Sequence, residues 1–218
     1  MAEPTQFAFD ATAEADVQAA IARYPAGKQA SAVMPLLHTA QRQMERLTGS
    51  SWVPRAAMDV IAKRLGMAPV RVYEVATFYL MYNTSPVGKY HLQLCTTTPC
   101  WLRGSDDVVA ACKKISGIGF GETSPDGLFT MTEVECLGAC VNAPILQIND
   151  DYYEDMDQAR TEKLLADLKA GAKPPPPGST IGRHASAPQG GQTVLLDTLN
   201  PAVVVAPTAI GQNASEAE

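Results

Sequence analysis

Cys95-Thr-Thr-Thr-Pro-Cys100 and, after 35 intervening residues, Cys136-Leu-Gly-Ala-Cys140 decide how this chain is read. Before the first pair, Tyr90, Leu92 and Leu94 alternate with His91, Gln93 and Cys95; before the second, Phe129, Met131 and Val134 lead into Cys136. Alternation of period two marks half-buried strands, so each cysteine pair leaves a strand end and enters a loop. Two adjacent strands of one sheet would gather the four thiolates at a single edge.

Working outward, residues 105–116 read as a helix. Ser105 is the expected cap, Asp106 and Asp107 suit its positive end, and Lys113 and Lys114 its negative end. Ile145 to Ile148, the turn residues Asn149-Asp150-Asp151, and Tyr152-Tyr153 read as a hairpin. Leu164, Leu165 and Leu168 place a closing helix at residues 161–170. The order strand, helix, strand, strand, strand, helix predicts a small α/β sheet of mixed strand direction. Gly117-Ile118-Gly119-Phe120-Gly121 has neither the spacing nor the following helix of a phosphate-binding loop.

Upstream, apolar spacing is helical across residues 13–82: Val17 with Ile21, Leu36 and Leu37 with Ala40 and Met44, Ala57 with Ile61 and Leu65, Val72 with Val75, Ala76 and Tyr79. Tyr24-Pro25-Ala26-Gly27, Thr48-Gly49-Ser50-Ser51 and Gly66 separate four short helices, and Pro69 opens the last. The fold class is therefore α+β: a helical bundle at 13–84, the cysteine-bearing α/β domain at 85–170, and a Pro-, Ala- and Gly-rich tail at 171–218. Pro174 to Pro177 and the absence of aromatics after Tyr153 predict a tail that is extended or bound to a partner, anchored by Leu195, Leu196 and Val203 to Val205.

Composition excludes several classes. The chain of 218 residues carries 17 Lys and Arg against 23 Asp and Glu, a net charge of −6, without the basic footprint of a nucleic-acid binder. No apolar run approaches the ~20 residues of a membrane span, so direct membrane insertion is not expected. Glu3, Asp10, Glu14 and Asp16 precede the first basic residue, Arg23, unlike an export or transit leader; a cytoplasmic chain is expected. Five cysteines in such a chain argue against a disulfide framework.

The thiols leave three readings. Zinc accepts cysteine pairs at these spacings; a 2Fe-2S cluster takes four thiolates, two on each iron; unliganded thiols are the third. Gly138 and Ala139 free the backbone N–H groups that stabilise cluster sulfurs. Leu102, Leu137 and Val141 limit water access, and no Lys or Arg lies between Cys136 and Ile148. Cys112, in mid-helix beside Val108 and Ile115, reads as a core residue. His38, His91 and His184 have no partner at ligand spacing, and His91 reads as solvent-facing or packed at the bundle. Asp150, Asp151, Glu154, Asp155 and Asp157 read as a solvated hairpin and helix start. Tyr73, Phe78, Tyr79 and Tyr82 read mostly as core.

Glu74-Val-Ala-Thr-Phe-Tyr79, Cys95-x4-Cys100, Glu135-Cys-Leu-Gly-Ala-Cys140, Ala143-Pro144 and Gln147-Ile-Asn-Asp-Asp-Tyr-Tyr-Glu154 together resemble the small thioredoxin-like 2Fe-2S subunit of respiratory NADH:quinone oxidoreductase, complex I. The resemblance spans residues 13–170. It implies a thioredoxin-like ferredoxin domain with Cys95, Cys100, Cys136 and Cys140 as cluster ligands. It also implies electron transfer, without catalysis by the chain alone, beside a flavoprotein subunit that holds FMN and NADH. Further peripheral-arm subunits of a proton-translocating complex on the cytoplasmic side of a bacterial inner membrane are expected as partners. The module is similar as well to subunits of NAD-linked hydrogenases and formate dehydrogenases. A zinc-stabilised interaction scaffold is the alternative of another class.

Overall fold

The computed structural model describes residues 3–188; the proposed anchors Leu195, Leu196 and Val203 to Val205 lie outside the described residues. The amino-terminal part is helical, with α1 (Ala11–Ala22), α2 (Val33–Thr48), α3 (Arg55–Leu65) and α4 (Pro69–Phe78). The Asp10 carboxylate accepts from the Ala13 N–H and starts α1. Gly66, at φ 63°, stops α3 in the left-handed conformation expected of it, and Pro69 stands in the first turn of α4. Val17, Leu36, Leu37, Ala40, Val53, Ala57, Ile61 and Val72 meet in one core. Full burial of each Val, Leu or Ile side chain among them is worth about 1.5–3 kcal/mol.

The second part is a six-stranded sheet of β1 (Tyr90–Cys95), β2 (Glu122–Thr123), β3 (Phe129–Val134), β4 (Leu146–Ile148), β5 (Asp151–Glu154) and β6 (Gly178–Ser179), in the order β2-β3-β1-β4-β5-β6. β1 runs parallel to β3 and β5 to β6; the other pairs are antiparallel. The predicted hairpin is β4–β5. One face carries Leu92, Leu94, Phe129, Met131, Leu146 and Ile148, packed with Val108 and Cys112 of α6 (Ser105–Ser116) and with Leu164, Leu165 and Leu168 of α7 (Gln158–Lys169). This is the mixed α/β unit expected after a helical bundle. Gly88 enters β1 so close to β3 that a Cβ there would lie 2.7 Å from the Phe129 carbonyl carbon.

The other sheet face presents His91, Gln93, Thr132 and Gln147 toward the helical part, which meets it through polar contacts. Arg42 pairs with Asp150 at 3.4 Å, and Asn149 Nδ2 donates to Glu45 Oε1 at 3.4 Å. Asn149, at φ 54°, ties the turn together by accepting the His91 N–H on Oδ1 at 2.8 Å and the Gln93 and Gln147 amides on its carbonyl.

Several local expectations are corrected. Ser105 is the first residue of α6, with Gly104 in the cap position, and its buried hydroxyl has no partner among the described residues. α7 begins at Gln158 because the Asp157 carboxylate caps it through the Arg160 N–H. His91 is not solvent-facing; of its two expected places it takes the one toward the bundle, buried on the polar sheet face with Nε2 2.8 Å from Thr132 Oγ1 and lining the cleft with His38 and Gln41. Tyr82 is buried, whereas Phe78 and Tyr79 are exposed. The tail is not extended throughout. Beyond α7 it returns in cis: Tyr153 donates its hydroxyl to the Pro175 carbonyl at 3.1 Å, β6 pairs with β5, and Arg183 reaches Asp155. Asp155 is accordingly buried, not solvated.

Candidate metal centre

Because β1 and β3 are parallel neighbours in the register Cys95↔Val134, their carboxyl ends emerge side by side. Cys95 closes β1, and Cys136 stands two residues beyond the end of β3. The sequence between Cys95 and Cys100 forms a short helix that its brevity hid, α5 (Thr98–Leu102), with Pro99 in its first turn and Cys100 turned inward. Cys140 opens a 3-10 turn through Asn142. The four thiols are thus brought to one edge of the sheet, as the strand ends predicted.

Cys95 and Cys100 are buried with Ala143 and Ile145, and Leu137, Ala139 and Tyr152 pack against them. Cys140 is half-buried; Cys136 is exposed and lines a cleft of about 930 Å³ between the helical part and the polar sheet face. Cys136 Sγ and Cys140 Sγ are 3.3 Å apart. None of the five cysteines is disulfide-bonded. Cys112 is fully buried in α6, away from this edge, and its thiol is pushed up to about 12 by burial.

The sulfurs receive donors. The Thr97 hydroxyl lies 3.1 Å from Cys95 Sγ, and the Gly138 N–H donates to Cys136 Sγ at 3.4 Å. Gly138 has φ 83°, the left-handed turn that aims this N–H inward. Burial raises the Cys95 thiol, yet hydrogen bonds from Thr97, Cys100 and the Leu137 N–H outweigh it and hold it below the ordinary value. Cys100 is pushed up to about 12, first by burial and then by its hydrogen bond to Cys95, although the Ile145 N–H opposes this. Cys140 is raised by its hydrogen bond to Cys136. Binding to iron or zinc would deprotonate these thiols.

The donor set fits an iron–sulfur cluster. Thiolates stand as two pairs, backbone N–H groups point at sulfur, and an apolar shell encloses the inner pair. Trp101, Leu102 and Val141 form an exposed apolar rim beside the thiols. His38 lines the cleft and His184 stands on the tail. Among the described residues no helix is long and apolar enough to cross a membrane.

Comparison with known proteins identifies the family. The family described as thioredoxin-like [2Fe-2S] ferredoxin matches residues 17–169. An NADH-quinone oxidoreductase subunit of Rickettsia typhi is 53% identical over 159 residues, covering 73% of this chain and 91% of the relative. "NADH dehydrogenase [ubiquinone] flavoprotein 2, mitochondrial" of Dictyostelium discoideum is 46% identical over 195 residues, 89% of this chain and 76% of the relative. Among solved structures, a NAD+-reducing [NiFe]-hydrogenase aligns at a TM-score of 0.54 and 18% identity, over 65% of this chain and 23% of that one, which shows a shared fold. With four thiols at one sheet edge, a family match over most of its length and relatives at about half identity, the chain belongs to the thioredoxin-like [2Fe-2S] ferredoxins of the NADH-quinone oxidoreductase type.

Proposed function

We propose that this chain is the 2Fe-2S electron-transfer subunit of an NADH:quinone oxidoreductase, with Cys95, Cys100, Cys136 and Cys140 holding one cluster. The convergence of both cysteine pairs at the carboxyl ends of β1 and β3 carries the reading. A 2Fe-2S cluster supplies one-electron storage, and the chain's own residues do the rest. Cys95 and Cys100 bind from the buried side, with N–H groups of Leu137 and Ile145 directed at them. Cys136 and Cys140 bind from the exposed side, where Gly138 lets the loop approach. Leu137, Ala143 and Ile145 exclude water, and the rim of Trp101, Leu102 and Val141 offers an apolar face to a neighbour.

NADH yields a hydride, and this sequence has no nucleotide or flavin motif. The partner that converts two electrons to single ones is therefore a flavoprotein subunit holding FMN and NADH, seated with other peripheral-arm subunits of the complex. Its place is the cytoplasmic side of a bacterial inner membrane, to which the chain attaches through the complex.

Iron and sulfide analysis with paramagnetic resonance after reduction tests the ligand set on the full-length chain. Wild type and Cys112→Ala should carry the cluster, and Cys95→Ala, Cys100→Ala, Cys136→Ala and Cys140→Ala should lose or severely disturb it. An intact cluster in Cys136→Ala would refute the assignment, and a colourless zinc protein would select the scaffold alternative. The flavin-free chain should not oxidise NADH until the flavoprotein is added. Purification of the native assembly distinguishes complex I from a hydrogenase or formate dehydrogenase by its companion subunits.

A further inference from the structure

The stretch from Cys136 to Ile148 contains no Lys or Arg, yet the fold brings a cation to it from the tail. Arg183 Nη2 donates to the Val141 carbonyl at 3.1 Å and to Asn142 Oδ1, and Nη1 donates to Asp155 Oδ1 at 3.1 Å. The pair is withdrawn from water, with side chains 12% and 4% exposed. Val141 and Asn142 directly follow Cys140 in its 3-10 turn. Asn142 Nδ2 in turn donates to the Ala185 carbonyl at 2.8 Å and to the Glu154 carboxylate. Ser179 Oγ donates to the second Asp155 oxygen at 2.6 Å. Residues from the cysteine loop, β5 and the returning tail therefore close on the turn that carries Cys140.

We infer that Arg183 is a positioning residue for the cluster, which with Asp155 fixes the Cys140 turn and sets the charge that the reduced cluster meets. The inference rests on the 2Fe-2S reading above. Reduction adds one negative charge at this edge. Charges held out of water beside it are weakly screened, so a cation favours the reduced form and an anion opposes it. Arg183→Gln leaves the Asp155 carboxylate uncompensated, whereas Asp155→Asn leaves the guanidinium uncompensated. Both variants loosen the same clamp but change the local charge in opposite directions. Asn also tolerates the φ of 53° at position 155.

The test is a redox titration of the full-length, cluster-loaded chain followed by paramagnetic resonance. Chelator-driven cluster loss is measured in parallel. Arg183→Gln should shift the reduction equilibrium toward the oxidised form by about tenfold, which for one electron is about 59 mV. Asp155→Asn should shift it the other way. Arg183→Lys keeps the charge but not the two-armed fork, so it should hold a near-native potential while losing its cluster several-fold faster. If Arg183→Gln does not accumulate folded, the opposite displacements of Asp155→Asn in potential and Arg183→Lys in cluster loss still decide. Unshifted potentials, or shifts of one sign in both charge variants, would overturn the inference and leave the cluster assignment standing. A wild-type chain without a 2Fe-2S signal would overturn that assignment, and this inference with it.

Discussion

The phenolic hydroxyl of Tyr152, on β5, donates to the backbone carbonyl of Leu137 at 2.9 Å. It thereby fastens the loop between Cys136 and Cys140 to a strand that pairs with neither β1 nor β3. Tyr152→Phe removes this bond and keeps the ring that packs beside Cys95. The expected cost is about 1 kcal/mol in chemical denaturation, with faster loss of the cluster to a chelator. Unchanged loss kinetics would show that the loop needs no such tether.

Gly88→Ala tests the approach of β1 to β3. The added methyl would meet the Phe129 carbonyl carbon at 2.7 Å and the Thr130 nitrogen at 2.9 Å, both backbone atoms that cannot step aside. It also threatens the bond from the Gly88 N–H to Thr130 Oγ1 at 2.6 Å. A loss of about 1–3 kcal/mol follows from overpacking, read as a lower urea midpoint. A midpoint equal to wild type would mean that the strands separate freely here.

Burial lowers the His91 imidazole to about 4 from its ordinary 6.5. Above 6.5 it is neutral in both folded and unfolded chains and contributes no pH dependence. As pH falls from 6.5 toward 4 the unfolded chain takes up the proton first. Stability therefore declines, by up to about 3 kcal/mol across this window, and levels off below it. His91→Gln keeps a partner for Thr132 and removes the titration. Its stability against pH should be flatter between 6.5 and 4 than that of wild type; parallel curves would assign the acid limb to other groups.

Truncation after Ala170 removes β6, the Pro175 acceptor of Tyr153 and the Arg183 partner of Asp155. An orphaned buried carboxylate and lost hydrogen bonds predict a decrease of about 2–4 kcal/mol, seen as a lower melting temperature. Truncation after Pro188 retains all these contacts and should melt above truncation after Ala170. Equal melting of all three proteins would show that the returning tail adds nothing to the domain.

The parts legible in the sequence are those written in local patterns. Alternation into Cys95 and Cys136 located β1 and β3, helical spacing located the four amino-terminal helices, and Gly66 and Pro69 marked their breaks. The cysteine pairs and the flanking family motifs pointed to an iron–sulfur edge. α5 escaped because five residues hold too little periodicity to register, and β6 because two residues after a proline run show none. His91 was left undecided between solvent and the bundle because alternation tells which residues oppose the apolar face, not whether another unit covers that opposite face.

The sequence by itself thus determined the two units, the strand ends and the candidate ligands, since each depends on residues a few positions apart whose spacing matches a helix or a strand. Only the tertiary structure decided that the tail doubles back, that Asp155 is buried, and that Arg183 reaches the Val141 carbonyl, 42 positions away in the chain. Such contacts leave no period in the chain. They are selected by the satisfaction of buried polar groups once the sheet has formed, and only the folded arrangement shows which donor reaches which acceptor.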